Sequence, residues 1–482
     1  MKIETVSSAA CSLFASKEID DKALFSLLFS PDELKVVFDA SFAKSTGKGT
    51  DRLNGFQYAV RSAAELKIAS TKCLNAQYRF SPFMETLKTK GRDKFPRLIG
   101  VPTIRDRVVL HQLNKFLAAV YPDRVPKNVA STYVRSIAAD LNLKMSGDVW
   151  VCGTDVKTFY DSIQQDRLSR VLRKRIKFWP ALRLVEHALV TPTVPKNTQR
   201  SRHAEYRLGK GVPQGLAISN ILAAIYMDDV DKPMLAMPVS YYRYVDDVLI
   251  FGTEDAVQKA LATFSSRLKY RGLSLHSISS GKTQIAPLAH SFGYLGYTFK
   301  WPVITVRTAT VERFLQSIAA KFSDYVHNKA RRLEKFEYLS DERLASIFLL
   351  ELNERLTGAI SGQKRYGWIA YFNQITDLSL LHRLDKTIAG FFSRLSDFNR
   401  AAPGDLRKLS RAYFEMKFNP QGGYVRNYDK IVTPAEKVQF LLARGRIGPQ
   451  EALTDDQINE RYEKYLSHVL FAMHSDEGQI YS

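Results

Sequence analysis

Cysteine is scarce. The 482 residues hold three, Cys11, Cys73 and Cys152, far apart and without a CxxC pair. That spacing argues against a disulfide framework and a structural zinc centre, and it points to a reducing, cytoplasmic setting. Long apolar runs are missing too. No stretch reaches the roughly 18 apolar residues that a membrane span requires. Met1 to Asp20 lacks a basic segment followed by a sustained apolar one, so no secretory leader is expected. There is no internal repeat and no low-complexity tract. Acidic residues are in deficit: 49 Asp and Glu stand against 70 Lys and Arg, a net charge of +21. An excess of this size points to a polyanionic partner, nucleic acid ahead of an anionic membrane surface, because no basic amphipathic anchor stands out. Hydrophobic residues are plentiful, at 45%. The length suits about three domains.

One stretch organises the rest: Tyr241-Tyr242-Arg243-Tyr244-Val245-Asp246-Asp247-Val248-Leu249-Ile250-Phe251. Two adjacent carboxylates lie between runs of β-branched and aromatic residues, which predicts a hairpin with Asp246 and Asp247 at its tip. Neighbouring carboxylates repel. Exposure to water relieves this, and a bare Asp-Asp turn is more often a solvated turn. A divalent cation also relieves it, and a pair of such cations can clamp the attacking and leaving oxygens of a phosphoryl transfer.

Upstream, residues 1–43 read as two short helices that meet at Ser30-Pro31-Asp32-Glu33, an N-cap with a first-turn proline and a capping-box acid. A polar loop and a helix over about 51–68 follow. Next comes a basic hairpin, Lys88 to Arg97, leading into Leu98-Ile99-Gly100-Val101-Pro102. It suits a lid over a triphosphate or a plain solvated hairpin equally well. Thr103 caps a helix running to about Val120. Trp150–Asp155 reads as a strand that ends in a carboxylate, followed by a turn with two aromatics, Phe159 and Tyr160. Gly209-Lys210-Gly211-Val212-Pro213-Gln214-Gly215 is a glycine-rich loop before a helix, and its glycines allow close backbone approach. A helix over 256–270, a short strand over 273–278, Lys282, and an aromatic-glycine strand over 292–299 follow. Helices are predicted over 308–336, 341–360 and 366–395. After a linker at 399–404 come short helices and a polar tail.

In this order the pieces resemble bacterial reverse transcriptases akin to those of group II introns, over about residues 35 to 300. The Tyr244-Val245-Asp246-Asp247 and Gly211-Val212-Pro213-Gln214-Gly215 motifs are highly specific together. The resemblance implies an α+β right-hand polymerase. Its parts would be an N-terminal helical extension (1–43), fingers (44–149), a palm with an antiparallel sheet (150–300, with fingers helices within about 164–235), a helical thumb (301–395) and a small mainly helical C-terminal region (396–482). It implies that Asp155 and Asp246 hold two magnesium ions, for which manganese can substitute, with Asp247 beside them and the Val156 carbonyl completing the site. Tyr160 falls on the steric-gate position that favours dNTPs over rNTPs. Gln214 and Gly215 would line the nucleotide, and Arg97 would bind its triphosphate. For its companion lysine the resemblance offers Lys94, with Lys90 and Arg92 equally near its place. Lys282 would serve the departing pyrophosphate.

The resemblance thus implies an RNA-directed DNA polymerase with an RNA template, a DNA product and dNTPs as partners. No Cys/His cluster suggests an HNH endonuclease, and no further acidic constellation suggests RNase H. The segment Lys364 to Phe372 is similar to the stand-alone defence-associated and abortive-infection reverse transcriptases, which pair with a structured non-coding RNA. Other expectations stay open: an intron-type maturase or retroelement enzyme, untemplated synthesis, protein priming with Tyr481 as the candidate hydroxyl, a non-catalytic RNA scaffold, and assembly into homo-oligomers.

Overall fold

A computed structural model describes residues 6–88, 96–125, 129–143, 148–277, 279 and 281–477. Lys94 and Tyr481, with Lys90 and Arg92, lie outside these residues. The chain divides into two compact units, Met1–Val129 with Lys144–Pro287, and Ala130–Leu143 with Leu288–Ser482.

The first unit begins with three helices, Val6–Ala15, Asp21–Leu28 and Pro31–Ser41, where the apolar periodicity predicted two. Ser30 caps the third as expected, accepting from the Glu33 N–H at 3.3 Å. The Glu33 side chain does not close a capping box; it is buried and accepts from the Ser7 hydroxyl. The helix predicted over 51–68 is two, Gly55–Ala59 and Ser62–Leu74. Asn54 and Gln57 form a closed capping box on the first, which ends after five residues. Thr103 caps Ile104–Val120. Strands β1 (Phe83–Lys88) and β2 (Arg97–Val101) form the basic hairpin, with Lys88 opposite Arg97. Asp106 anchors its root, accepting from the Tyr78 hydroxyl at 2.6 Å and the Ser81 N–H at 2.9 Å.

The central sheet contains β3 (Trp150–Asp155), then, after the short β4 (Thr193–Val194) that pairs with β1, β5 (Ser240–Tyr244), β6 (Asp247–Gly252) and β7 (Gln284–Pro287). Its order is β5-β6-β3-β7 and every pairing is antiparallel. The interior of β6 is a continuous buried run, Val248-Leu249-Ile250-Phe251. The strand predicted over 273–278 is reduced, among the described residues, to one bridge, Leu275 to Val156. Cys73 and Cys152 are buried in this unit's core, and burial pushes the Cys152 thiol up to about 12. At pH 8 that thiol is neutral and shielded. Iodoacetamide is therefore expected to spare Cys73 and Cys152 until the chain is unfolded, which peptide mass mapping would read.

In the second unit, β8 (Phe292–Tyr294), β9 (Tyr297–Lys300) and β10 (Val303–Val306) form a meander, followed by helices Thr308–Lys335 and Asp341–Thr357. The predicted helix over 366–395 is broken. Strands β11 (Ala359–Ser361) and β12 (Lys364–Tyr366) form a hairpin, Trp368–Tyr371 is a single turn, and Leu378–Phe391 is the helix proper. Gly358 ends the preceding helix, Gly362 sits in the hairpin turn and Gly367 breaks the predicted helix itself, with φ of +71°, +56° and +112°, values that only glycine adopts freely. Helices Leu409–Phe418, Pro434–Ala443 and Asp455–Asp476 follow; the last, at 22 residues, is longer than predicted. Before the second of them, β13 (Arg426–Asn427) adds to β11.

Candidate active site

The β5-β6 hairpin turns through two residues, Val245 and Asp246, because Tyr244 pairs with Asp247. The tip is therefore one residue earlier than an Asp246-Asp247 turn would place it. Asp247 opens β6 and stands opposite Asp155, the last residue of β3. Residues directly opposed on antiparallel strands project to one face with Cβ atoms about 5 Å apart, and like charges there destabilise the pair. The fold thus forces two carboxylates together at the end of an otherwise apolar sheet. Asp246 is tied in by its carbonyl, which accepts from the Val156 N–H at 3.0 Å.

The tip is strained. Val245 has φ +57°, a region costly for a β-branched residue, by about 1–3 kcal/mol. Arg243 holds it there. One guanidinium nitrogen donates to the Val245 carbonyl at 2.9 Å, and two others grip the carboxylate of Asp231, Nε to Oδ1 at 2.7 Å. The Tyr241 hydroxyl donates to the same Asp231 oxygen at 2.8 Å.

On the other side of β3, the His276 N–H donates to the Asp155 carbonyl at 3.2 Å. Thr283 donates to the His276 carbonyl at 2.6 Å and pairs with Thr154 at 2.8 Å. These bonds fix Lys282, whose Nζ lies 3.6 Å from Asp155 Oδ2 and 2.9 Å from His276 Nε2. One ammonium thus offsets part of the carboxylate repulsion.

Tyr160 borders the same face. Its hydroxyl donates to Asn220 Oδ1 at 2.6 Å. Its phenol is pushed up first by burial and then by the negative charge of Asp246, while Arg97 acts in the opposite direction. Tyr160 therefore lies within electrostatic reach of both residues. The glycine-rich loop is laced to its backbone: Val212 N–H donates to the Tyr160 carbonyl at 2.9 Å and Gly211 N–H to that of Ile163 at 2.8 Å. The Gln214 carbonyl accepts from Gly100 N–H at 2.8 Å, and its amide reaches Asp161 at 3.2 Å. Gly215 has φ +96°, and a Cβ there would stand 2.6 Å from an Ile99 methyl. The loop thus packs on β2, the strand that begins with Arg97.

Asp155, Val156, Asp246, Asp247, Lys282 and Tyr160 are brought together, and Gln214 and Gly215 join them through β2 and the Tyr160 turn. His276, Asn220, Arg243 and Asp231 carried no sequence assignment. Arg243 sits on the strand that leads into the Asp-Asp pair, but nothing in the sequence marks Asp231 as its partner. Among the described residues, no three His, Cys, Asp or Glu side chains form a metal cage. Magnesium does not need one, since it commonly takes one or two carboxylates and completes its shell with water and substrate phosphates. An all-oxygen donor set of two or three aspartates and a carbonyl fits such a hard cation.

Residues 88–299 match the family model described as reverse transcriptase (RNA-dependent DNA polymerase). The chain is 23% identical to Protein YkfC of Escherichia coli K12 over 195 residues, covering 38% of this chain and 49% of that one. It is 24% identical to the group II intron-encoded protein LtrA of Lactococcus lactis subsp. cremoris over 229 residues, 46% of this chain and 36% of that one. A telomerase from Candida albicans, solved with a fragment of telomeric RNA, aligns with a TM-score of 0.40 at 12% identity, covering 71% of this chain and 68% of that one. The chain spans less than half the length of the two curated relatives. Over residues 88–299 it carries a reverse-transcriptase domain homologous to those of group II intron-encoded proteins, and the described residues form an α+β fold. Among the described residues, no helix is long and apolar enough to cross a membrane.

Proposed function

We propose that this protein is an RNA-directed DNA polymerase that copies a bound non-coding RNA from dNTPs. The observation that carries the reading is the opposition of Asp155 to Asp247 beside the Asp246 tip, within a reverse-transcriptase domain. Asp155, Asp246 and the Val156 carbonyl would hold magnesium or manganese, with Asp247 beside them. Such ions supply charge neutralisation and a more acidic primer hydroxyl. The chain's own groups do the rest. Lys282 faces the site as an ammonium able to steady or protonate departing pyrophosphate. Arg97 offers a bidentate fork to phosphate oxygens. Gln214 and Gly215 present backbone to the nucleotide. Fingers, palm and thumb are assigned to 44–149, 150–300 and 301–395.

Tyr160, held by Asn220, would meet a ribose 2′-OH. Tyr160→Ala is expected to lower the dNTP/rNTP ratio of kcat/KM by about 10- to 100-fold, the range a single steric contact supplies. An unchanged ratio would remove the gate assignment.

A role in anti-phage defence rests on the similarity of Lys364 to Phe372 to stand-alone defence enzymes. An intron-type function is the second reading, favoured by the kinship with LtrA. The deciding experiment is to purify the protein from its native locus with bound nucleic acid, add dNTPs, and sequence RNA and DNA. A discrete RNA with complementary DNA supports the proposal, and flanking intron ribozyme domains would support the second reading. Co-purified RNA with no DNA made after dNTP addition would favour a scaffold.

A further inference from the structure

The second unit carries an exposed aromatic pair among residues with no role in the active site. Helix Leu409–Phe418 buries Leu409, Ala412, Tyr413 and Met416. Phe414 and Phe418 project from its other side, 43% and 75% exposed. Their rings stack at 6.1 Å with 23° between planes, and a cavity of about 420 Å³ opens beside them, lined also by Arg411 and His382.

The surroundings are basic. Residues 378–391 and 407–418 hold six Lys and Arg side chains and two carboxylates. Both carboxylates are engaged. Asp385 accepts from the Leu409 N–H at 2.7 Å, and Glu415 takes Arg411 at 3.4 Å and Asn419 at 3.0 Å. Arg411 and Arg407 lie over the Tyr424 ring, at 4.5 and 5.1 Å. His382 and Lys386 are exposed one turn apart on the neighbouring helix.

Two open rings edged by cations match the needs of unpaired nucleotides. Bases of any sequence stack on aromatic faces, and the flanking cations follow the phosphates. A protein partner fits less well, because interface cores are depleted of lysine and this apolar patch is only two rings wide. We propose that Phe414 and Phe418 form a stacking platform for single-stranded nucleic acid, with Arg411 and Lys386 against its phosphates. The platform shares with the polymerase reading only the class of ligand.

The test uses the full chain with 15-nucleotide oligo(U) and oligo(dT) carrying 5-iodouracil. Photocrosslinks located by mass spectrometry are expected on Phe414 or Phe418, and comparing the two oligomers tells RNA from DNA. F414A/F418A should weaken binding by about tenfold or more, and R411E/K386E should flatten its salt dependence. Extension of a short primer–template should be unchanged in F414A/F418A. Asp246→Asn should keep the crosslinks, so failure of the polymerase reading would leave the platform standing. Crosslinks confined to other residues, with affinity within twofold of wild type, would overturn it. So would a fall in oligomeric mass with unchanged affinity, which would mark a protein interface.

Discussion

Asp155→Asn and Asp246→Asn are each expected to abolish primer extension while the chain remains folded. Exchanging a carboxylate for an amide keeps the size and removes the charge that a hard cation requires. Metal stabilisation of a phosphoryl-transfer transition state is worth several kcal/mol, so the rate should fall by about a thousandfold or more. Stability should move the other way or not at all. Asp155 and Asp247 are opposed like charges, a pairing that costs up to about 1 kcal/mol. The exchange also removes the ion pair with Lys282, but that side chain is 45% exposed, and ion pairs open to water contribute little. Asp155→Asn should therefore match or exceed the wild-type melting temperature. Extension at the wild-type rate would remove Asp155 and Asp246 from the metal site, and a marked loss of stability would show that the carboxylates are structural.

Much of this site was legible because its parts are local patterns. Alternating apolar and aromatic residues around Asp246-Asp247 specify a hairpin, and Thr103 and Ser30 are caps whose side chains bond the next turn. What escaped was set by distant partners. Glu33 has the spacing of a capping-box acid but is taken by Ser7. The segments over 341–360 and 366–395 have helical periodicity, yet three glycines with positive φ turn the join between them into a hairpin and a bend. Periodicity weighs side chains, whereas these breaks are decided by backbone conformation and by pairing of β11 with β13, which lies far along the chain. His276 meets Lys282 beside a bridge between Val156 and Leu275 and a bond to the Asp155 carbonyl, and no local signal marks it.

The hairpin tip has the same long-range dependence, and it yields the second large effect. Asp231→Ala would strand the Arg243 guanidinium, whose side chain is 12% exposed. Removing one partner of a buried pair costs about 3–5 kcal/mol, visible as a lower denaturation midpoint. That result alone would not separate folding from positioning. The double variant Asp231→Leu/Arg243→Met does, because apolar residues of similar volume often restore the stability of such a pair. It should recover most of the midpoint and still extend primers about 10- to 100-fold more slowly. Without the bond from Arg243 to the Val245 carbonyl, about 1–3 kcal/mol of backbone strain loses one of its restraints and the tip is expected to relax away from the geometry that presents Asp246. Recovered stability with wild-type extension would show that Arg243 only fills space. Recovered stability with slow extension would show that the strained valine is held in place for the carboxylate that follows it.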